Sequence, residues 1–217
     1  MPKSADDARG ADAFQMKLYI TPTSPYGRIA RIVVHEKGLT SHVQIIEAQT
    51  RRSGSPYYRT LPSGRVPYLD RDDGPHPGPG IEDSGLICRY LDHLDGKPRM
   101  HLPPDTSNWD YGRLEATARS MLDGLAVFVR EVRRPANEQS PTIVAHEADR
   151  ARRMAVQCND LIAHPLMQGS INMAQIVLYV ALDTCHRRQV YDWRSGNPAL
   201  LAWYERLSGH PSIAATA

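Results

Sequence analysis

Two residue pairs combine a small polar side chain with a predicted helix start: Ser24-Pro25 and Asp83-Ser84. Serine suits the N-cap of a helix, and proline suits the first helical position, where a missing N–H is not needed. A helix start also exposes backbone N–H groups and the positive end of the helix dipole, both of which favour a carboxylate or another anion. Each pair is therefore a candidate binding element, although each is also typical of an ordinary helix cap.

A third candidate is the segment LPSGRVPYLD at residues 61–70, which places Pro67 between apolar and β-branched residues. Such residues on both sides of a proline indicate extended backbone. Proline cannot donate to a strand ladder, so it fits here only at a sheet edge, at a bulge or after a cis peptide bond. The sequence leaves these three alternatives open.

Histidine and cysteine do not form recognisable ligand patterns. The nine histidines include no HxxxH or HxH pair, so we predict no metal site. The three cysteines, Cys88, Cys158 and Cys185, are odd in number and include no CxxC pair. Because each lies in an apolar, helix-like pattern, we expect buried thiols and no disulfide framework.

The elements that position the candidate residues follow from hydrophobic periodicity. A strand at residues 17–20, a helix from Pro25 to a stop at Gly38, and a strand at residues 43–48 predict a βαβ unit with a parallel strand pair. The Gly- and Pro-rich residues 74–80 predict a loop, and a helix is expected from Asp83-Ser84 to about residue 94.

The second half of the chain lacks strand patterns. Helices are predicted at residues 109–134, at 140–163, at 176–185 and at 199–207, with Asn172 and Gln175 at the spacing of a capping box ahead of the third. We therefore predict a flexible tail at residues 1–13, an α/β domain at 14–95, a linker at 96–107 and an all-helical domain at 108–217.

Length and charge exclude several functional classes. The chain has 217 residues, enough for two small domains, and its 26 basic and 24 acidic residues give a formal charge of +2. The arginines lie near acidic residues, so we expect no nucleic acid partner. No apolar stretch is long enough for a membrane span and no hydrophobic signal core is visible, so a cytoplasmic protein is expected.

Three motifs in this order resemble the bacterial glutathione transferases with a serine-type active site. They are SPYGR at residues 24–28, GRVPYL at residues 64–69, and Asp83-Ser84 followed by Ile87 and Tyr90. The run from Asp192 to residue 212 is also similar to the closing helix of that family. The resemblance implies a thioredoxin-like glutathione-binding domain, a helical domain lining an electrophile pocket, and a detoxifying transferase that forms a homodimer.

The resemblance also implies residue roles. Ser24 would donate its hydroxyl to the glutathione thiolate, and the Val66 backbone would pair with the cysteinyl part of glutathione beside a cis Pro67. Asp83 and Ser84 would hold the γ-glutamyl end. Alternative hydroxyl donors are Thr23, then Tyr19 and Tyr26, while Arg28 or Arg65 are candidates for the glycyl carboxylate. Residues that could line the electrophile pocket, or belong to the core, are Tyr111, Leu114, Met121 and Leu122.

Three features depart from the family pattern. Leu61 stands where the family often has asparagine, and Asn172 with Gln175 replaces the usual capping pair. The loop at residues 74–80 is longer than usual and leads into Asp83, so we expect it to reshape the rim of the glutathione site.

Two functional classes fit this pattern. The first is an enzyme that conjugates the glutathione thiol to small hydrophobic electrophiles, or uses it in a related reaction. Serine at position 24 argues against disulfide exchange, because no mixed disulfide can form there. The second is a non-catalytic binding or regulatory protein of the same fold. The set formed by Ser24, Val66-Pro67 and Asp83-Ser84 favours the enzyme.

Overall fold

The computed structural model describes residues 15–101 and 109–217. The predicted tail at residues 1–13 and residues 102–107 of the predicted linker lie outside these ranges. The chain divides into two compact units after Leu91. Among the described residues, no helix combines the length and the apolar character that a membrane crossing requires.

The first unit is built on a four-stranded mixed sheet. Its strands are β1 (Met16–Ile20), β2 (Val43–Glu47), β3 (Tyr68–Asp70) and β4 (Ile81–Glu82), in the spatial order β2-β1-β3-β4. The predicted parallel pair is confirmed, since β1 pairs with β2 in parallel. Strand β3 is antiparallel to β1, and β4 is antiparallel to β3.

Three helices accompany the sheet: α1 (Pro25–Glu36), α2 (Tyr57–Thr60) and α3 (Ser84–His93), the last two residues of which lie beyond the boundary of this unit. Helix α1 begins at the predicted Ser24 cap, and its end is followed by Gly38, whose φ of 65° is the left-handed conformation expected there. Apolar side chains at a helical period are buried on α1, as predicted: Ile29, Ile32 and Val33.

The second unit is all-helical in its described part. Its helices are α4 (Trp109–Val132), α5 (Pro141–Leu161), α6 (Pro165–Gln168), α7 (Met173–Arg188), α8 (Pro198–Ser208) and α9 (Pro211–Ala214), with a short 3-10 turn at Ala136–Glu138. Helix α7 is buried over most of its length and packs against α4. The predicted architecture, an α/β thioredoxin-like domain followed by an all-helical one, is confirmed.

The cap of α7 matches the predicted capping box in one of its two bonds. Asn172 caps α7 as expected, since its Oδ1 accepts the Gln175 N–H at 3.1 Å. The Gln175 side chain does not return this bond; its Nε2 donates instead to the Leu166 carbonyl at 2.8 Å, so the capping box is only half formed.

The four residues considered for an electrophile pocket are all buried and belong to the helical core: Tyr111, Leu114, Met121 and Leu122.

Candidate functional site

Strand register brings the three sequence motifs to one end of the sheet. Tyr19 on β1 pairs with Tyr68 on β3, and Tyr68 pairs with Glu82 on β4. The end of β1, the beginning of β3 and the end of β4 therefore lie side by side, with neighbouring strands about 4.8 Å apart. The segments attached to these three strand ends carry Ser24, Pro67 and Asp83.

Ser24 serves as the N-cap of α1. Its Oγ accepts the Gly27 N–H at 3.1 Å, and the residue has the extended backbone typical of a cap. A hydroxyl that accepts a hydrogen bond still has its proton to donate. Ser24 is half-buried, Tyr26 is also half-buried, and Thr23 is exposed.

Gly27 determines how closely the start of α1 approaches β1. A Cβ built at this position would lie 3.0 Å from Cγ2 and 3.1 Å from Cβ of Ile20, and 3.4 Å from Cβ of Ser24. Ile20 is the buried last residue of β1. The absent side chain therefore lets the capping turn sit directly against the end of the strand.

The Val66–Pro67 peptide bond is cis, as the resemblance implies. Val66 is half-buried and Pro67 is buried. Within the described residues, neither the N–H nor the carbonyl of Val66 has a hydrogen-bond partner. The backbone before β3 thus has an unpaired donor and acceptor at the sheet end where the other motifs lie.

An aromatic cluster lies behind this segment. The Tyr19 ring is 5.6 Å from the Tyr57 ring and 6.0 Å from the Tyr68 ring, measured between centroids. Val66 packs against the same group of buried residues. Burial raises the pKa of Tyr57 and of Tyr68 above the usual tyrosine range, and nearby Glu82 acts in the same direction. These phenols therefore stay protonated at neutral pH.

Asp83 and Ser84 form the start of α3 as predicted. Asp83 takes a left-handed φ of 78°, and its Oδ1 accepts the N–H groups of Gly85 at 2.8 Å and Leu86 at 3.0 Å. The N–H groups of Gly85 and Leu86, which were expected to be available to a ligand carboxylate, therefore donate to the Asp83 side chain instead. Ser84 is 4% exposed, and neither its N–H nor its hydroxyl has a partner among the described residues.

The expectation that the loop at residues 74–80 reshapes the rim of this site stays a prediction. The loop connects the end of β3 with the beginning of β4, which is the opposite end of the sheet from Ser24 and Pro67. Arg71 holds it there, donating to the carbonyls of His76 at 2.7 Å and Pro79 at 2.9 Å. The end of the loop nevertheless reaches the aromatic cluster, since Gly80 packs so closely against the Tyr68 ring that no side chain would fit there.

One side-chain cluster has no sequence motif. Asp92, His93 and His101 bring potential ligand atoms within 4.8 Å of one another. The buried Asp92 carboxylate accepts the N–H groups of Arg99 at 3.0 Å, Met100 at 3.0 Å and His101 at 2.8 Å, and contacts His101 Nδ1 at 3.1 Å. The carboxylate oxygens are thus engaged by donors, and the cluster fastens residues 99–101 to the end of α3.

Comparison with known proteins identifies the family. Residues 18–99 match the glutathione S-transferase N-terminal domain, and residues 141–206 match the glutathione S-transferase C-terminal domain. The chain is 29% identical over 204 residues to the Uncharacterized GST-like protein YibF of Escherichia coli (strain K12), covering 93% of this chain and 98% of that protein.

Solved structures agree. A glutathione S-transferase from Methylobacillus flagellatus KT with GSH bound superposes with a TM-score of 0.80 at 27% identity, covering 94% of this chain and 99% of that chain. A glutathione transferase family member from Pseudomonas fluorescens Pf-5 with bound glutathione gives 0.81 at 25% identity, covering 93% and 98%. This chain belongs to the glutathione S-transferase family.

Proposed function

We propose that the chain is a glutathione transferase in which Ser24 stabilises the thiolate of glutathione for attack on a small hydrophobic electrophile. The observation that carries the proposal is the convergence of three motifs at one sheet end. A hydroxyl at a helix start, an unpaired backbone donor and acceptor at Val66, and an unpaired Ser84 meet the needs of an anionic tripeptide. The glutathione bound to the Methylobacillus and Pseudomonas relatives supports this ligand.

Each part of glutathione has a chemically suitable partner. The Ser84 N–H and hydroxyl suit the γ-glutamyl carboxylate, and the Asp83 carboxylate suits the γ-glutamyl ammonium group. The Val66 N–H and carbonyl suit the cysteinyl backbone, since an extended peptide pairs with an exposed backbone edge. With the rest of the peptide bound in this way, the Ser24 hydroxyl is the proposed hydrogen-bond donor to the glutathione sulfur.

The energy needed for thiol activation is modest. Lowering a thiol pKa by two units takes about 2.7 kcal/mol. One charge-assisted hydrogen bond from Ser24 supplies about 1.5–3 kcal/mol, and the start of α1 adds about 0.3–1 kcal/mol. The thiol proton passes to solvent, and the sulfur then forms a bond to an electrophilic carbon of the second substrate. In a substitution this carbon loses its leaving group with the bonding electron pair. In an addition the π-electron pair moves to a neighbouring atom of the electrophile, which then takes a proton from solvent.

The test is Ser24→Ala with Ser140→Ala as the matched control. Ser140 is also followed by proline and caps α5, its Oγ accepting the Ile143 N–H at 3.4 Å. Each variant should lose about 1 kcal/mol of stability with its cap. Only Ser24→Ala should raise the pKa of bound glutathione, by about one to two units. Thiolate absorbance and the conjugation rate against pH measure this shift.

The outcomes separate the alternatives. If Ser24→Ala and Ser140→Ala behave alike once the folded fraction is corrected, Ser24 is only a cap, and Thr23→Val is the next variant. If the wild-type protein is retained on immobilised glutathione but conjugates no aromatic halide or other electrophile, the non-catalytic binding protein is the better description. If it does not bind glutathione, the proposal fails.

A further inference from the structure

Arg65, the residue before Val66, is held by side chains through both of its backbone polar groups. The Arg65 N–H donates to Ser63 Oγ at 3.3 Å, and the Arg65 carbonyl accepts the Tyr57 hydroxyl at 2.6 Å. Ser63 Oγ in turn donates to Glu82 Oε2 at 2.6 Å, which ties this segment to the end of β4. The Arg65 side chain is exposed, so the contacts that fix this residue are those of its backbone.

Tyr57 is itself rigidly placed. It is 6% exposed and forms a buried cluster with Ala48 and Leu61, against which the Tyr19 ring packs. Its N–H donates to Ser55 Oγ at 3.2 Å, and that hydroxyl donates to the Gln49 carbonyl at 2.5 Å. A buried tyrosine hydroxyl must find a partner, and here the partner is the Arg65 carbonyl.

The geometry of the peptide unit links Tyr57 to Val66. The Arg65 carbonyl and the Val66 N–H belong to one trans peptide group, in which they point in opposite directions. A carbonyl drawn towards the buried Tyr57 hydroxyl therefore turns the Val66 N–H away from the cluster. That N–H has no partner among the described residues, so it is available to a ligand.

We propose that Tyr57 is a positioning residue whose buried hydroxyl orients the Arg65–Val66 peptide so that the Val66 N–H receives the cysteinyl carbonyl of glutathione. This inference rests on the proposed function and adds a residue to which that function assigns no role. Because burial raises its pKa, the Tyr57 phenol remains a donor through the neutral range.

The test is Tyr57→Phe, which removes the hydroxyl and keeps the ring. The dissociation constant of glutathione should rise about fivefold, the effect of one neutral hydrogen bond. Calorimetry separates this from structural damage, since misfolded protein lowers the binding stoichiometry and not the affinity. The pKa of the bound thiol should stay unchanged, whereas Ser24→Ala should shift that pKa with little change in affinity.

Tyr179→Phe is the matched control. Tyr179 is 4% exposed on α7, and its hydroxyl lies 3.2 Å from Ser208 Oγ. The variant deletes a buried tyrosine hydroxyl in the helical unit, so it should destabilise the protein by about 1 kcal/mol and leave the glutathione dissociation constant as in wild type.

Wild-type protein provides a second measurement that does not depend on the variant's folding. In an amide NMR titration with glutathione, the Val66 N–H resonance should be among the most shifted. A Val66 resonance that does not move, or a Tyr57→Phe affinity equal to wild type, would overturn the positioning role while glutathione binding itself stands. Absence of glutathione binding by the wild-type protein would instead overturn the proposed function, and the inference with it.

Discussion

Residue type alone does not distinguish a helix cap from a thiolate donor. Ser24 and Ser140 are both serines followed by proline, and both accept the N–H of the residue three positions ahead. They differ in their surroundings, because Ser24 follows a strand whose end pairs with the start of β3, which in turn pairs with β4. The proposed role of Ser24 therefore depends on the sheet, and only the capping role is visible in the local sequence.

The packing of Gly27 against Ile20 gives a prediction at this scale. Gly27→Ala should destabilise the protein by about 1 kcal/mol. The new methyl meets a β-branched strand residue at 3.0 Å, and this overpacking outweighs the gain in helix propensity of about 1 kcal/mol. Relief of the tight contact with Ile20 would shift the start of α1 and Ser24 with it, so the pKa of bound glutathione should rise as well. Denaturant unfolding and thiolate absorbance measure the two effects.

Gly112→Ala is the control for this substitution. Gly112 lies in α4, is exposed, and a Cβ built there meets no atom of the described residues within 4 Å. Alanine at this position should therefore stabilise the protein by about 0.5–1 kcal/mol and leave the thiol pKa unchanged. If both substitutions stabilise the protein, the Ile20 side chain can move to accommodate the methyl group. Gly27 is then not needed for the close approach of α1 to the end of β1.

At the scale of elements, the buried carboxylate of Asp92 holds the end of α3 against residues 99–101. Asp92→Asn should lower the free energy of unfolding by about 2 kcal/mol at pH 7, since an amide cannot accept from all the donors that converge on Asp92. Burial alone would raise the pKa of Asp92, but the hydrogen bonds from Arg99, His101 and Met100 bring it below the usual carboxyl value.

The sign of this pKa shift fixes the pH dependence. A carboxyl whose pKa is lower in the folded state stabilises the fold above the unfolded pKa of about 4, and loses that contribution as the pH falls through the folded pKa. The stability difference between wild type and Asp92→Asn should therefore narrow below about pH 4. Asp95→Asn, which alters an exposed carboxylate accepting the Lys97 N–H at 2.9 Å, should change stability by less than about 0.5 kcal/mol at any pH. A constant difference down to pH 3 would contradict the assigned role.

Elements with strong periodicity and a local cap were predictable from the sequence. Helices α1, α5 and α7 begin at the residues that their caps indicate, because capping is decided within four residues of chain. The short elements α2, α6, α9 and β4 were missed, since two to four residues are too few for a hydrophobic period. The candidate site residues were predicted through motifs, and their roles stay predictions. Tyr57 was not among them, because its bond to Arg65 spans eight residues and follows no sequence rule.

At the scale of the whole molecule, the resemblance implies a homodimer in which the first domain meets the helical domain of the partner. Each unit exposes a large apolar side chain consistent with such an interface. Leu86 on α3 is 55% exposed and Trp109 at the start of α4 is 76% exposed, the highest values for large apolar residues in the described part of each unit. Burying such side chains is worth about 25 cal/mol per Å² of apolar surface.

Light scattering should therefore give a mass about twice the 24.3 kDa of one chain. Leu86→Glu and Trp109→Glu should each shift it towards one chain, because an unpaired carboxylate is costly to bury at an interface. Both positions lie in the first turn of a helix, where a carboxylate stabilises the helix. A fall in the measured mass from two chains to one would therefore reflect dissociation of the dimer and not unfolding. Val156→Glu, at a residue of α5 that is 54% exposed, should leave the mass unchanged. A wild-type mass of one chain would contradict the dimer. If Val156→Glu alone caused dissociation, the dimer interface would lie on α5 and not at Leu86 and Trp109.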